Sequence, residues 1–533
     1  MQIPARGEHD SDVQTRYDAV IIGGGHNGLV AAAYLARAGQ SVLVLERAPE
    51  LGGATRSQRL FAGFDARLSR YSYLVSLFPR KVVEDLGLPF QTRRRAIASC
   101  TPYTRKGRPC ALVLSNVDPE RSHASFRELA GQEDWRGFQQ LREMEAAFAA
   151  RVWPSLLEPL RTRAHWQDAM RAPLERKAWD AFVERPLGEC VERLMENDVA
   201  RGLVFTDAKV GVHTHPHDRT LLQNRCFILH VIGDGTGEWR VPVGGMGALV
   251  DALATCARSA GAELLTEAPA CGVQTGPRRH TVVFEQNGKE REIEATRVLV
   301  NAGPRAFDAL LGRPHLGDPA DDGSVCKVNM LLSRLPRPRA GVDPRDAFAG
   351  TFHVDESYEE MQASYRQASE GTVPERAPGE IYCHSLTDES ILGPGLRKQG
   401  YATLTLFGLD APYCLFEANN EGVKAAYLRK YLEGLNRVLA EPIEECLAVD
   451  RHGEPCIEIK SPVDLERELA LNRGNIFHGE LSWFFAEKSE DAGRWGVETE
   501  YERIYRAGSS AIRGGGVSGI PGHNAAQCIL QER

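Results

Sequence analysis

Gly23, Gly25 and Gly28 stand in G-x-G-x-x-G spacing, and Glu46 follows at the end of the next apolar run. Glycines let a backbone turn tightly enough to touch a pyrophosphate, and a carboxylate about 20 residues on can accept ribose hydroxyls. The chemistry is nucleotide binding, and it needs particular elements around it. Tyr17 to Ile22 is short, apolar and β-branched, as a buried parallel strand should be. Leu29 to Ala38 is alanine-rich and free of proline, which predicts a helix stopping at Gly39, and Ser41 to Leu45 predicts a second strand. Strand, glycine turn, helix, strand and acid make one βαβ unit, with the helix amino end offering unpaired N–H groups to the phosphates.

The residues after Glu46 bear on which dinucleotide is held. Arg47, the pair Gly52-Gly53, Thr55 and Arg56 follow in "ERAPELGGATRS". Gly52-Gly53 alone would be a turn after a strand. Taken together the stretch resembles the E-R-x4-G-G extension of FAD-dependent oxidoreductases related to amine oxidases and phytoene desaturases. In those proteins the second glycine pair passes close to the flavin-side phosphate, and an arginine or threonine supports it.

Two later segments extend the resemblance. "VPVGGMGALVDALATCARSAGAELLTEAPACGV" (241–273) and "TVVFEQNGKEREIEATRVLVNAGP" (281–304) read as glycines, an amphipathic helix and strands, with a hairpin turn at Asn287-Gly288. They resemble the middle segment of phytoene desaturase-like flavoproteins, where Ala270 takes an adenine-contacting position usually held by valine. "GNIFHGELSWFF" (474–485) and "GGGVSGIPGHNAA" (514–526) resemble the closing flavin motif of phytoene dehydrogenase-related proteins, in the branch of pyridine nucleotide-disulfide oxidoreductase domain-containing protein 2. Gly514, Gly516 and Gly519 also fit G-x-G-x-x-G. Only 14 residues follow Gly519, too few for a second βαβ unit. Gly516, Val517 and Gly519 are therefore expected to lead into a last helix whose amino end faces the flavin. Where the group often carries T-H-P, this chain has Ala511, Ile512 and Arg513.

The fold class expected is α/β: a Rossmann-like FAD-binding domain in discontinuous segments with a mixed α+β substrate domain. FAD-binding segments are placed at 17–100, 239–310 and 474–533, a helical substrate cap at 101–238, a substrate domain at 311–473 and a loose tail at 1–16. Trp135, Trp153, Trp166 and Trp179 lie in the helical text of the cap, as core anchors or pocket walls.

Composition narrows the function. The 533 residues carry a net charge of −8, which gives no general attraction to nucleic acid or anionic lipid. No run of 18 apolar residues occurs, so no membrane-spanning helix is expected, while peripheral membrane contact stays open. The 12 cysteines include no C-x-x-C pair, so flavin disulfide reductase chemistry is excluded. Reduced cysteines and a first segment unlike a secretory signal suggest the cytoplasm. "HTHPHD" could put His213, His215 and His217 on one strand face, but Pro216 favours a loop and no closing ligand is identifiable, so no metal is assigned.

The resemblance implies FAD and an oxidoreductase: a desaturase, dehydrogenase or isomerase passing hydride to flavin N5 from a largely apolar small molecule. Electrons would continue to oxygen or a quinone, and the lack of a second βαβ unit makes NAD(P)H a poor reductant. An amine or amino-acid oxidase, a saturase and a non-catalytic flavin-binding regulator remain alternatives; an aromatic pair bracketing an amine would favour the first. Candidate catalytic residues are His478 with Glu480 as a proton-transfer pair, and Arg513 as a partner for a substrate carboxylate.

Overall fold

The computed structural model describes residues 14–317 and 321–532. Most of the tail expected at 1–16 lies outside them. Two seven-stranded sheets organise the chain.

The first sheet is the nucleotide domain. Strand β1 (Arg16–Ile22) runs parallel to β2 (Val42–Leu45) on one side and to Lys289–Val300 on the other, and β2 is followed by Glu263–Leu265. The far arm is antiparallel, Ala270–Gln274 against His280–Gln286 against Lys289–Val300. Its last turn is the expected hairpin, with Asn287 at φ 53° and Gly288 at φ 69°, the left-handed pair such a two-residue turn requires. Ile504–Arg506 adds a seventh strand, parallel to Val298–Val300. β1 is buried from Ala19 onward because helices cover it. Helix α1 (His26–Arg37) packs against Gly247–Ser259 and the last helix, Ile520–Gln531. The alanines of α1 let these three helices come close, and most of its length is fully buried.

The second sheet, ordered Ile457–Lys460, Cys326–Leu332, Ala402–Gly408, Gly379–Tyr382, Thr351–Val354, Ile97–Arg105 and Arg108–Ser115, is antiparallel apart from the pair Thr351–Val354 with Ile97–Arg105. Strand Ile97–Arg105 runs across residue 100, where the sequence suggested a boundary, so residues 97–115 belong with this sheet. Helices between Pro119 and Val231 lie over it as a cap, the first of them broken at Gly131 (φ 84°). Trp166 and Trp179 are anchors in the cap core, whereas Trp135 reaches a cavity wall. No helix among the described residues is long and apolar enough to cross a membrane.

Candidate active site

A cavity of about 970 Å³ runs between the two sheets and under the cap. Its nucleotide end is built largely from backbone. Gly23 has φ 103°, and a Cβ there would run into the carbonyl oxygen of Asn301, whose own side chain donates to the Gly23 carbonyl at 3.0 Å. Gly52 has φ 112°, and a Cβ would approach Val250 to 2.8 Å. The two glycine turns are stitched together, Gly52 N–H donating to Gly24 O at 2.9 Å. Gly25 caps α1 in extended conformation with no side-chain acceptor, and no acid stands in the first turn, so the amino end of α1 is left for an anion. Glu46 is 8% exposed and its carboxylate is aimed by two amides, Gly24 N–H on Oε2 and Ala48 N–H on Oε1, each 2.8 Å. Gly23, Gly25, Glu46, Arg47, Gly52, Gly53, Arg56, Ala270, Gly516 and Val517 all line the cavity. Asn301 supports the turn from the N-A-G-P stretch.

Three expected cofactor residues are not on the wall. Gly28 packs beneath the turn, against the Gly23 carbonyl, where any side chain would wedge α1 off β1. Thr55 is fully buried and donates to Gly52 O at 2.6 Å, so it shapes the second glycine turn instead of facing a phosphate. Gly519 (φ 68°) starts the last helix and packs on Phe78 and Val30.

The catalytic candidates are placed differently from expectation. His478 does line the cavity, held neutral because burial pushes it down to about 4. Glu480 does not line this cavity and is ion-paired with Arg225, so its carboxylate is not free to act with His478 as the expected proton-transfer pair. Arg513 is turned from the cavity. Its Nη1 donates to Ser155 O (2.9 Å) and Glu158 O (2.7 Å) and its Nη2 to Trp495 O (2.9 Å), tying the cap to the closing segment. A guanidinium spent on three carbonyls is not free to bind a substrate carboxylate. Of the histidines of "HTHPHD", His213 and His215 both pack against Tyr365, His213 also contacting Asp410 and Ser369, while His217 contacts Glu192.

The other end of the cavity carries side chains that sequence reasoning missed. Lys327, 1% exposed, donates to Ser69 O (3.2 Å), Arg70 O (3.3 Å) and Asn329 Oδ1 (3.3 Å), with Nζ 4.9 Å from the Tyr73 ring centre; burial lowers it to about 7. Tyr73 touches Tyr382 (centroids 4.6 Å, 43°) and Phe407 (5.7 Å), forming one aromatic wall instead of two facing jaws. Glu380 accepts from Thr206 Oγ1 at 3.1 Å and from the Tyr382 hydroxyl, and burial pushes it up to about 7. His353 is its directly paired neighbour across the strands. Burial opposes charge on that imidazole, but the hydrogen-bonded Glu356 carboxylate outweighs it and holds the ring above its usual value. Burial raises Glu145 to about 7 despite its Arg142 partner, and Asp207 to about 6. Arg95 donates to Trp239 O and Thr351 Oγ1, both 3.1 Å, and stacks over Tyr382.

His353, Glu356 and Glu380 are the one group among the described residues with ligand-type atoms within 4.8 Å of one another. Most of their polar atoms are engaged with hydrogen-bond partners, His353 Nδ1 with Glu356 and both Glu380 oxygens with hydroxyls, which is the pattern of a proton network.

The sequence profile of the flavin-containing amine oxidoreductases matches residues 28–378. The chain belongs to that family. It is therefore an FAD-dependent oxidoreductase, and the backbone-built end of the cavity, with its open helix terminus and aimed carboxylate, fits the dinucleotide. An uncharacterized protein of Mycobacterium tuberculosis is 44% identical over 535 residues, 98% of each chain. The mouse pyridine nucleotide-disulfide oxidoreductase domain-containing protein 2 is 28% identical over 572 residues, 98% of this chain and 94% of that one. Among solved structures, wild-type putrescine oxidase bound to putrescine superposes with a TM-score of 0.57 at 17% identity, covering 97% of this flavoprotein and 99% of the other. Cyclohexylamine oxidase from Brevibacterium oxydans gives 0.53 at 14%, covering 97% and 100%. At these identities the two structures show a shared fold.

Proposed function

We propose that the protein oxidises a small molecule carrying a basic nitrogen. FAD, when bound, supplies the two-electron acceptor. The observation that carries this reading is the charge of the substrate end: Glu145, Asp207 and Glu380 all face one cavity, and burial has raised each of them. Carboxyl groups held above their ordinary range would be stabilised as carboxylates by an incoming cation. The polyene or acyl chain implied by the phytoene desaturase resemblance would offer these acids no cation to face. The aromatic wall of Tyr73, Tyr382 and Phe407 gives the carbon skeleton an apolar face, with Lys327 beside it able to hold or pass a proton near neutral pH.

Within this reading the chain's own residues orient and dry the substrate. The cap closes the cavity from above through Phe227 and Leu229, and Arg95 adds a buried cation. An amino acid is the second reading, favoured by Arg95, which could receive an α-carboxylate while the acids face the nitrogen. Oxygen or a quinone would take the electrons onward.

The test is anaerobic mixing of the holoprotein with a panel of primary amines, the matching α-amino acids and apolar polyenes, following loss of the oxidised-flavin absorbance. Bleaching by amines or amino acids is expected. Bleaching by polyenes alone would overturn the reading in favour of a desaturase.

A further inference from the structure

Glu380 sits in a buried group with His353, Glu356, Tyr382 and Thr206. The strand pairing sets His353 directly opposite Glu380, so both side chains leave the sheet on one face. Tyr382, two residues on, shares that face. Thr206 arrives from the cap. The carboxyl of Glu380 is thus gripped by one hydroxyl from its own strand and one from the cap, and it is 4% exposed. Hydroxyls suit a group that changes protonation state. They donate to the carboxylate, and they rotate to accept once it carries a proton, so neither state leaves an unsatisfied buried atom. The neighbouring His353–Glu356 pair completes the surroundings, with Oε1 of Glu356 left without a hydrogen-bond partner.

We infer that Glu380 is the base that takes the proton from the substrate's ammonium group before oxidation, with Tyr382 and Thr206 positioning its carboxylate. This rests on the amine reading above. The step is Glu380–COO⁻ + R–NH₃⁺ → Glu380–COOH + R–NH₂. One N–H bond breaks, one O–H bond forms, and no electrons change hands. It frees the nitrogen lone pair, which the adjacent C–H bond needs before it can give up its two electrons. The groups that face Glu380 and set its balance are Glu356 and His353 from the neighbouring strand and the loop after it, Asp207 from the cap, and Tyr382 from its own strand. Tyr73, Arg95, Cys226 and His230 also interact with its charge directly.

The experiment follows the anaerobic rate of flavin bleaching against pH, using an amine that bleaches the wild type. The wild-type rate should rise through a pKa near neutrality and then level. Glu380→Gln should keep its FAD absorbance and melting temperature, lose about 100-fold in rate at pH 7, and recover most of that as pH approaches the amine's own pKa near 10, where free base needs no acceptor. Tyr382→Phe removes a donor to the carboxylate and should move the wild-type profile to higher pH. If Glu380→Gln does not fold, Glu380→Asp and Tyr382→Phe carry the test. A rate deficit in Glu380→Gln that stays constant at every pH would overturn the proposal. So would a stoichiometric transition metal in the purified holoprotein that Glu380→Gln loses, since the cluster would then be a metal site. If no amine bleaches the wild type, it is the functional reading that fails.

Discussion

The two ends of the cavity are made in opposite ways. At the nucleotide end, turns at Gly23 and Gly52, a helix terminus and one carboxylate aimed by two amides present main-chain atoms, drawn from residues close together in the chain. At the substrate end, Lys327, Glu380, His353, Asp207 and Glu145 converge as side chains from a cap helix, a cap turn and three strands of the second sheet. The first construction tolerates few residue types, because a Cβ collides with the Asn301 carbonyl at Gly23 and with the Val250 side chain at Gly52. The second depends on burial, which lowers Lys327 and raises Glu380, Asp207 and Glu145.

That contrast can be broken or sharpened by substitution. The largest effect belongs to Glu46→Arg, which removes the acceptor for two amides and sets a cation against the positive end of α1. FAD affinity should fall by at least about 1,000-fold, roughly 4 kcal/mol, read by flavin absorbance after gel filtration; a variant that keeps its flavin would show that Glu46 is not needed at that end. Arg513→Ala comes next. It removes three charge-assisted hydrogen bonds to carbonyls at the junction of cap and closing segment, so unfolding free energy should fall by about 3 kcal/mol in urea, while the isolated rate of flavin reduction should barely change.

The substrate end predicts a smaller, pH-dependent effect. Folded Glu145 and Glu380 titrate near about 7 and Asp207 near about 6, all raised by burial. The folded chain therefore keeps protons that the unfolded chain loses from about pH 4 upward. Stability from these groups is present in full below that window and is lost as pH rises through their folded pKa values. Comparing unfolding at pH 5 and pH 8, Glu145→Gln should shrink the loss by about 2 kcal/mol. An unchanged difference would mean Glu145 is solvated. Glu480→Ala, which takes the half-exposed carboxylate from an Arg225 side chain only 8% exposed, should cost about 1 kcal/mol and leave kcat alone.

The same contrast explains what the chain revealed before its structure was known. The βαβ unit, the hairpin at Asn287-Gly288 and the helix after Gly519 were legible because glycine, asparagine and acid positions report backbone geometry that few other residues can adopt. Thr55, Gly28 and Gly519 were assigned to the wall when they shape what lies behind it, since a motif fixes which residues are needed and not the direction in which they face. Arg513 was noticed as a departure from the family pattern, but its three carbonyl partners, at residues 155, 158 and 495, leave no local trace in the sequence around it. A signal for the substrate end did exist. Lys327 interrupts the apolar strand CKVNMLL, and Glu380 and Tyr382 alternate in GEIY, polar groups where a buried strand ought to have none. Those exceptions marked the chemistry more directly than the histidine cluster at 213–217.

One further consequence lies in the pairing of Ile504–Arg506 with Val298–Val300, together with the packing of Ile520–Gln531 on α1. An early segment of the chain and one made hundreds of residues later share one layer. β1 and α1 leave the ribosome early, yet their final neighbours are made hundreds of residues later. Until then α1 has an apolar flank with nothing against it, and a nascent chain must be kept from sticking to others. Translation that stops before Gly516 would deliver both sheets but leave α1 uncovered on one flank and the cavity without Gly516 and Val517.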